Sequence, residues 1–146
     1  MGITPHMLVG AAIGSQSSSL WVVFSLGFIS HFILDFLPHW DYLDTIKIDK
    51  PSHLIKIFLD TVLGSLLVLI LIWLYPQNIL MIMTGLVAVL LPDCLEFLYN
   101  TFRFKILQPF SLIHHKIHYA RKISFWKGVP SVIAVFLIAV AIFIFL

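Results

Sequence analysis

The stretch LIKIFLDTVLGSLLVLILIWLY at residues 54–75, then Pro76-Gln77-Asn78, then ILMIMTGLVAVLLPDCLEFLY at residues 79–99, decides the fold. Each apolar run matches the roughly 20 helical residues that cross a bilayer core. The three-residue connection makes the two spans antiparallel neighbours. Working outward, residues 20–37 form another near-spanning run, ended by Pro38, because proline disfavours helix at the residue before it. Residues 129–146 form a fourth run without a charge. Residues 6–14 are apolar but too short to cross, and the polar run Ser15 to Ser19 follows them. They read as a half-membrane or interfacial helix packed on the bundle. Residues 100–128 are basic and rich in histidine, and read as an interfacial segment.

Composition agrees. Of 146 residues, 60% are hydrophobic and 11% charged, against about a quarter charged in an ordinary soluble domain. A water-soluble fold of this size could not hide so much apolar surface. The expected architecture is an all-α integral membrane protein, one domain over residues 1–146. It has about four transmembrane helices, the short N-terminal helix, and the basic histidine segment. A net charge of +2 gives no argument for nucleic acid. The single cysteine, Cys94, excludes an intramolecular disulfide and a multi-cysteine metal site. Residues 1–10, MGITPHMLVG, lack the basic n-region of a signal peptide and read as mature protein.

Alternating spans place the connections 38–53 and 100–128 on one side. They carry Lys47, Lys50, Arg103, Lys105, Lys116, Arg121, Lys122 and Lys127, and Lys56 opens the second span there. The positive-inside rule makes that side cytoplasmic, in an inner or plasma membrane. Asp35, Asp60, Asp93 and Glu96 lie in the same halves of their spans, whereas the opposite halves are nearly pure hydrocarbon.

The chemistry concentrates in three groups. In SHFILDFLPHWDY, residues 30–42, His31 and Asp35 are four apart on one helical face. His39 follows Pro38 on the turn leaving the helix, about 12 Å from His31 if the helix ran on. A carboxylate between imidazoles suits one that bridges two metals about 3.5–4 Å apart. In LPDCLE, residues 91–96, Pro92 loosens the helix before Asp93, and Asp93 and Glu96 share a face. In HHKIH, His114 and His118 stand at the four-residue spacing of a bidentate metal pair, with His115 turned away. His6 and Asp60 complete the set. Charged groups inside a bilayer cost roughly 2.5–3.5 kcal/mol each on insertion scales. A divalent cation would neutralise the carboxylates and accept the imidazole nitrogens together. Imidazole with carboxylate favours zinc first, then manganese or iron.

Plainer roles compete. Asp44 and Asp49 share a loop with Lys47 and Lys50 as solvated charges. Glu96 pairs equally well with Arg103 or Lys105. His31 and Asp35 could be an interhelical hydrogen-bonded pair, and Arg121, Lys122 and Lys127 topology determinants. Trp21, Trp40, Trp73 and Trp126 suit interfacial anchors.

TPHMLVGAAIG near the start, SHFILDFLPHWDY, LPD in a later span and the clustered histidines together resemble the predicted membrane-bound metal-dependent hydrolases, an inner-membrane family with LexA-regulated members. The resemblance covers most of the chain through short motifs. It implies a metal site at His6, His31, Asp35, His39 and Asp93, with His114 or His118. PHWDY stands where many relatives have PDxDH, and HHKIHY only loosely echoes their HRGxTHS.

The leading expectation is a metal-dependent hydrolase at the cytoplasmic interface, acting on membrane lipid, with a lipid phosphoester as substrate class. Asp60 is expected to act as ligand or general base. The alternatives are a non-enzymatic ion-binding or transport protein, which needs a polar path to the far face, and a structural bundle.

Overall fold

The N-terminal helix, and not one of the long spans, is the element that meets four of the other helices. The computed structural model describes residues 1–42, 50–119 and 123–146, apart from the side chains of His118 and Tyr119. It contains α1 (Ile3–Ser15), α2 (Leu20–Phe36), α3 (Pro51–Leu74), α4 (Ile79–Phe102), a single 3-10 turn (Lys105–Leu107), α5 (Gln108–Tyr119) and α6 (Phe125–Phe145). No strand occurs among the described residues. Helices α3, α4 and α6 are each long and apolar enough to cross a membrane, and α2 is a shorter apolar helix. The chain is an all-α membrane protein.

The thirteen residues of α1 reach about 20 Å, short of the full hydrocarbon thickness. The helix is apolar on every side, the pattern of a helix buried all round. Most of it is buried, including Met7, Leu8, Ala11 and Ala12. It packs on α2, α3, α4 and α6, and so is a short helix buried within the bundle, as expected of one packed on it. Small residues permit this. Gly10 of α1 and Gly85 of α4 lie backbone to backbone, and a Cβ on either would run into the other's carbonyl. Gly14 meets the Ile82 backbone in the same way. In lipid, where apolar surface gives helices no reason to associate, such close approach supplies the packing energy.

The short connection between α3 and α4 does not make them packing neighbours. Helix α3 packs on α1, and no comparable contact joins it to α4. Thr4 and Met7 of α1 fit against Gly64 of α3, while Gly10 fits against Gly85 of α4. The central helix thus takes the place each long helix would have offered the other.

Helix ends are marked as the sequence suggests. Asn78 Oδ1 accepts from the amides of Leu80 and Met81 to start α4, and Pro51 opens α3. Helix α4 runs on through Pro92. At the end where α2 finishes and α3 begins, the His39 carbonyl accepts from the Ile123 amide at 3.0 Å, tying the turn after α2 to the lead into α6. At the opposite end, the Gln16 side chain donates to the Ile142 carbonyl of α6.

Candidate metal centre

Helix α2 delivers His31 and Asp35 from successive turns into the bundle, 0% and 1% exposed. Asp35 uses its two oxygens on two different sets of neighbours. Oδ2 lies 3.2 Å from His31 Nε2 and 3.4 Å from His114 Nε2. Oδ1 lies 3.4 Å from His6 Nε2 and 2.6 Å from the Met1 ammonium. Helix α5 brings in His114, 2% exposed. Its Nε2 is 2.9 Å from that of His31. Helix α4 adds Asp93, whose Oδ1 is 3.7 Å from His31 Nε2 and 3.6 Å from His114 Nε2. Asp93 is the most open of the four, its side chain 35% exposed. His31, Asp35, Asp93 and His114 thus offer one ligand atom each, all within 4.8 Å of one another.

The far nitrogens of the imidazoles are engaged as well. His31 Nδ1 lies 2.8 Å from the Val89 carbonyl, and His6 Nδ1 lies 2.9 Å from the Gly2 carbonyl. His114 Nδ1 faces the Glu96 carboxylate. A carbonyl or carboxylate can only accept, so each Nδ1 carries a proton, and a ring protonated there alone leaves a lone pair on Nε2. Three such lone pairs converge on a carboxylate. His6 Nε2 and Asp35 Oδ2 are buried without a hydrogen-bond partner. Without positive charge between them, lone pairs this close repel in a medium of low dielectric. The pattern is that of metal-ligating histidines, whose outer nitrogen is fixed by a carbonyl or carboxylate. The donor set therefore fits a divalent ion.

The other expected site residues are placed as follows. His39 is fully buried on the turn after α2, its Nδ1 2.7 Å from the Leu37 carbonyl. Burial first, then the Met1 ammonium, lowers its pKa from 6.5. It lies outside the four-residue group. The side chain of His118 lies outside the described residues, as do Asp44 and Asp49. His115 and Lys116 are exposed on α5, as their spacing predicts.

Asp60, on α3, also stands outside the group and meets the first turn of α1. Its Oδ2 accepts from the Ile3 amide at 2.6 Å and the Tyr42 hydroxyl at 2.9 Å. Its Oδ1 accepts from the Thr4 hydroxyl at 2.6 Å and the Thr4 amide at 3.3 Å. Burial, followed by the Asp60 charge, raises the Tyr42 pKa and keeps the phenol protonated as a donor. The cause is visible in the sequence of α1. Its cap is Gly2, which has no side chain, and its first turn holds no acid. A helix start in a membrane needs its free amides satisfied, and α3 supplies the carboxylate. Glu96 was legible as a neighbour of Asp93 but not as a partner of His114. Arg103, weighed with Lys105 as an alternative partner for it, takes a left-handed conformation at the end of α4 and lies over the Tyr99 ring.

Comparison with family models, with curated proteins and with solved structures gives no match to this chain.

Proposed function

We propose that this protein is a metal-dependent hydrolase of the inner or plasma membrane, with its centre toward the cytoplasmic interface and a lipid phosphoester as substrate. The observation that carries the reading is the convergence of His31, Asp35, Asp93 and His114 with the outer nitrogens of both imidazoles already committed to acceptors. Zinc suits the donor set best, with manganese or iron as alternatives.

A divalent ion held there would supply water activated near neutral pH and polarise the phosphoester. The chain's own groups do the rest. His31 and Asp35 are fixed by burial on α2, and the Val89 carbonyl orients the imidazole. Glu96 holds the His114 ring in its orientation. Asp93, half-exposed at the edge of the cluster, is placed to take the proton of the attacking water. The water oxygen bonds to phosphorus as the phosphorus–oxygen bond to the lipid alcohol breaks, and the leaving alkoxide receives the proton that Asp93 took from the water. Asp60 serves by holding α1, not by proton transfer, since donors occupy both its oxygens. Exposed Lys116 and Lys105, and the basic connections generally, suit an anionic headgroup.

Transport is less well supported. The half of α1 away from the cluster is packed with Leu8, Ala11, Ala12, Ile82 and Phe143, all buried, where a polar path would have to run.

The test is phosphate release from lipid phosphoesters by the protein in lipid vesicles, beside metal flux into sealed vesicles. Release that disappears in Asp93→Asn supports the reading. Flux without release would transfer the site to the ion-handling alternative.

A further inference from the structure

We propose that the corner between α4 and α5 docks on anionic phospholipid headgroups, and that this contact secures His114 beside His31. The link to catalysis rests on the metal reading of the His31, Asp35, Asp93 and His114 group, whereas the docking stands without it. The lipid in this contact is a bound partner, not the molecule that is cleaved.

Charge is one-sided over this part of the chain. Residues 97–146 contain six basic residues and no Asp or Glu. Arg103, Lys105 and Lys116 are exposed, and none of them meets a carboxylate among the described residues. Apolar side chains alternate with the first two. Phe102, Phe104 and Ile106 stand 59%, 52% and 86% exposed, and the two phenyl rings stack with centroids 5.6 Å apart. In water these side chains would form a bare apolar patch. At an anionic headgroup layer the rings enter the acyl boundary while the cations meet phosphate.

The corner also stands at the depth this requires. The 24 residues of α4 extend about 36 Å, longer than the roughly 30 Å hydrocarbon core. Its last residue, Phe102, therefore reaches headgroup level. Helix α5 continues the surface: Leu112, Ile113 and Lys116 are exposed on it, while His114 is turned into the bundle. Helix α5 packs on α2, α4 and the 3-10 turn, with no comparable contact to α1, α3 or α6. Lipid on its outer face supplies a hold that the bundle does not, and so keeps His114 Nε2 at 2.9 Å from that of His31.

The experiment uses the full chain in phosphatidylcholine vesicles, with and without phosphatidylglycerol. Spin-labelled tracers of the two lipids show by electron paramagnetic resonance which one the protein holds. Wild type is expected to prefer phosphatidylglycerol several-fold, and less so as salt is raised. Combining Arg103→Gln, Lys105→Gln and Lys116→Gln should remove most of the preference. Lys50→Gln with Lys56→Gln, exposed residues at the start of α3, should leave most of it. No preference in wild type, or an equal loss in both variants, would overturn the docking.

Hydrogen exchange of the α5 amides reads the hold on His114 without metal. Exchange is expected to slow with phosphatidylglycerol in wild type and not in the triple variant. Equal exchange in both lipids would overturn that hold and leave the docking standing. The same slowing by inorganic phosphate in phosphatidylcholine would assign the surface to a free anion and overturn the lipid reading. Manganese binding, measured in the same vesicles, should tighten with phosphatidylglycerol. A protein that binds no manganese yet gives the first two results would remove the metal reading alone.

Discussion

Glu96 on α4 accepts a hydrogen bond from Nδ1 of His114 on α5, eighteen residues later, and so turns the opposite nitrogen of that ring toward His31. The pair resembles the carboxylate–histidine arrangement that orients metal ligands from behind. Glu96→Ala should therefore weaken metal binding by about 10- to 100-fold without removing a ligand. Chelator competition on the purified protein checks this. An unchanged affinity would mean that the ring is held by its packing against Phe110 and Phe32 alone.

Asp60 gives a prediction of the opposite kind, a loss of stability. Asp60→Ala leaves the amides of Ile3 and Thr4 without their acceptor in a partly buried place, at a cost of about 2–3 kcal/mol. Tyr42→Phe removes one donor to the carboxylate and should cost about 1 kcal/mol. Unfolding of both variants in detergent, compared with wild type, measures the difference. A larger loss in Tyr42→Phe than in Asp60→Ala would contradict the capping role.

The approach of α1 to α4 makes Gly85 a sensitive position. A Cβ there would overlap the Gly10 carbonyl, which belongs to backbone and cannot swing aside. Gly85→Val should destabilise the bundle by at least the roughly 1–3 kcal/mol typical of overpacking. Gly2→Ala meets only the Asp60 and Tyr42 side chains and the Pro5 ring, none nearer than 3.1 Å, and should be much milder. Thermal unfolding of the two variants in the same detergent orders them.

Those contacts also show what the sequence could tell. The long spans were legible because their length and hydropathy suffice, and His31 with Asp35 because the helical period puts them on one face. Helix α1 was legible as a short apolar element but not as the centre of the bundle. Its position depends on Gly10, Gly14, Gly64 and Gly85 meeting particular partners, and single small residues carry no pairing information. The same limit hid the separation of α3 from α4, where a short connection argued for contact. Asp93 was readable from its depth. The Glu96–His114 bond was not, because it depends on how α5 docks after the turn at Arg103. The cap on α1 had a signal, Gly2 before a first turn without acids, pointing to a carboxylate from elsewhere in the fold.

His39 sets a pH dependence in the metal-free protein. Burial holds its folded pKa below 6.5, so the folded state binds fewer protons than the unfolded state below that pH. Stability is then fully present above about pH 6.5 and declines as the pH falls toward the folded value. Unfolding in chelator between pH 7.5 and 5.5 should show the decline in wild type and a shallower one in His39→Gln. Parallel profiles would place the titration elsewhere.

The central claim is that His31 and Asp35 hold a divalent ion in a membrane bundle. Metal analysis of the protein purified without added metal, beside His31→Ala and Asp35→Ala, tests it directly. A stoichiometric divalent metal in wild type, lost from both variants while their helical content persists, is the predicted result. A metal-free wild type that keeps its fold and stability in chelator would contradict it.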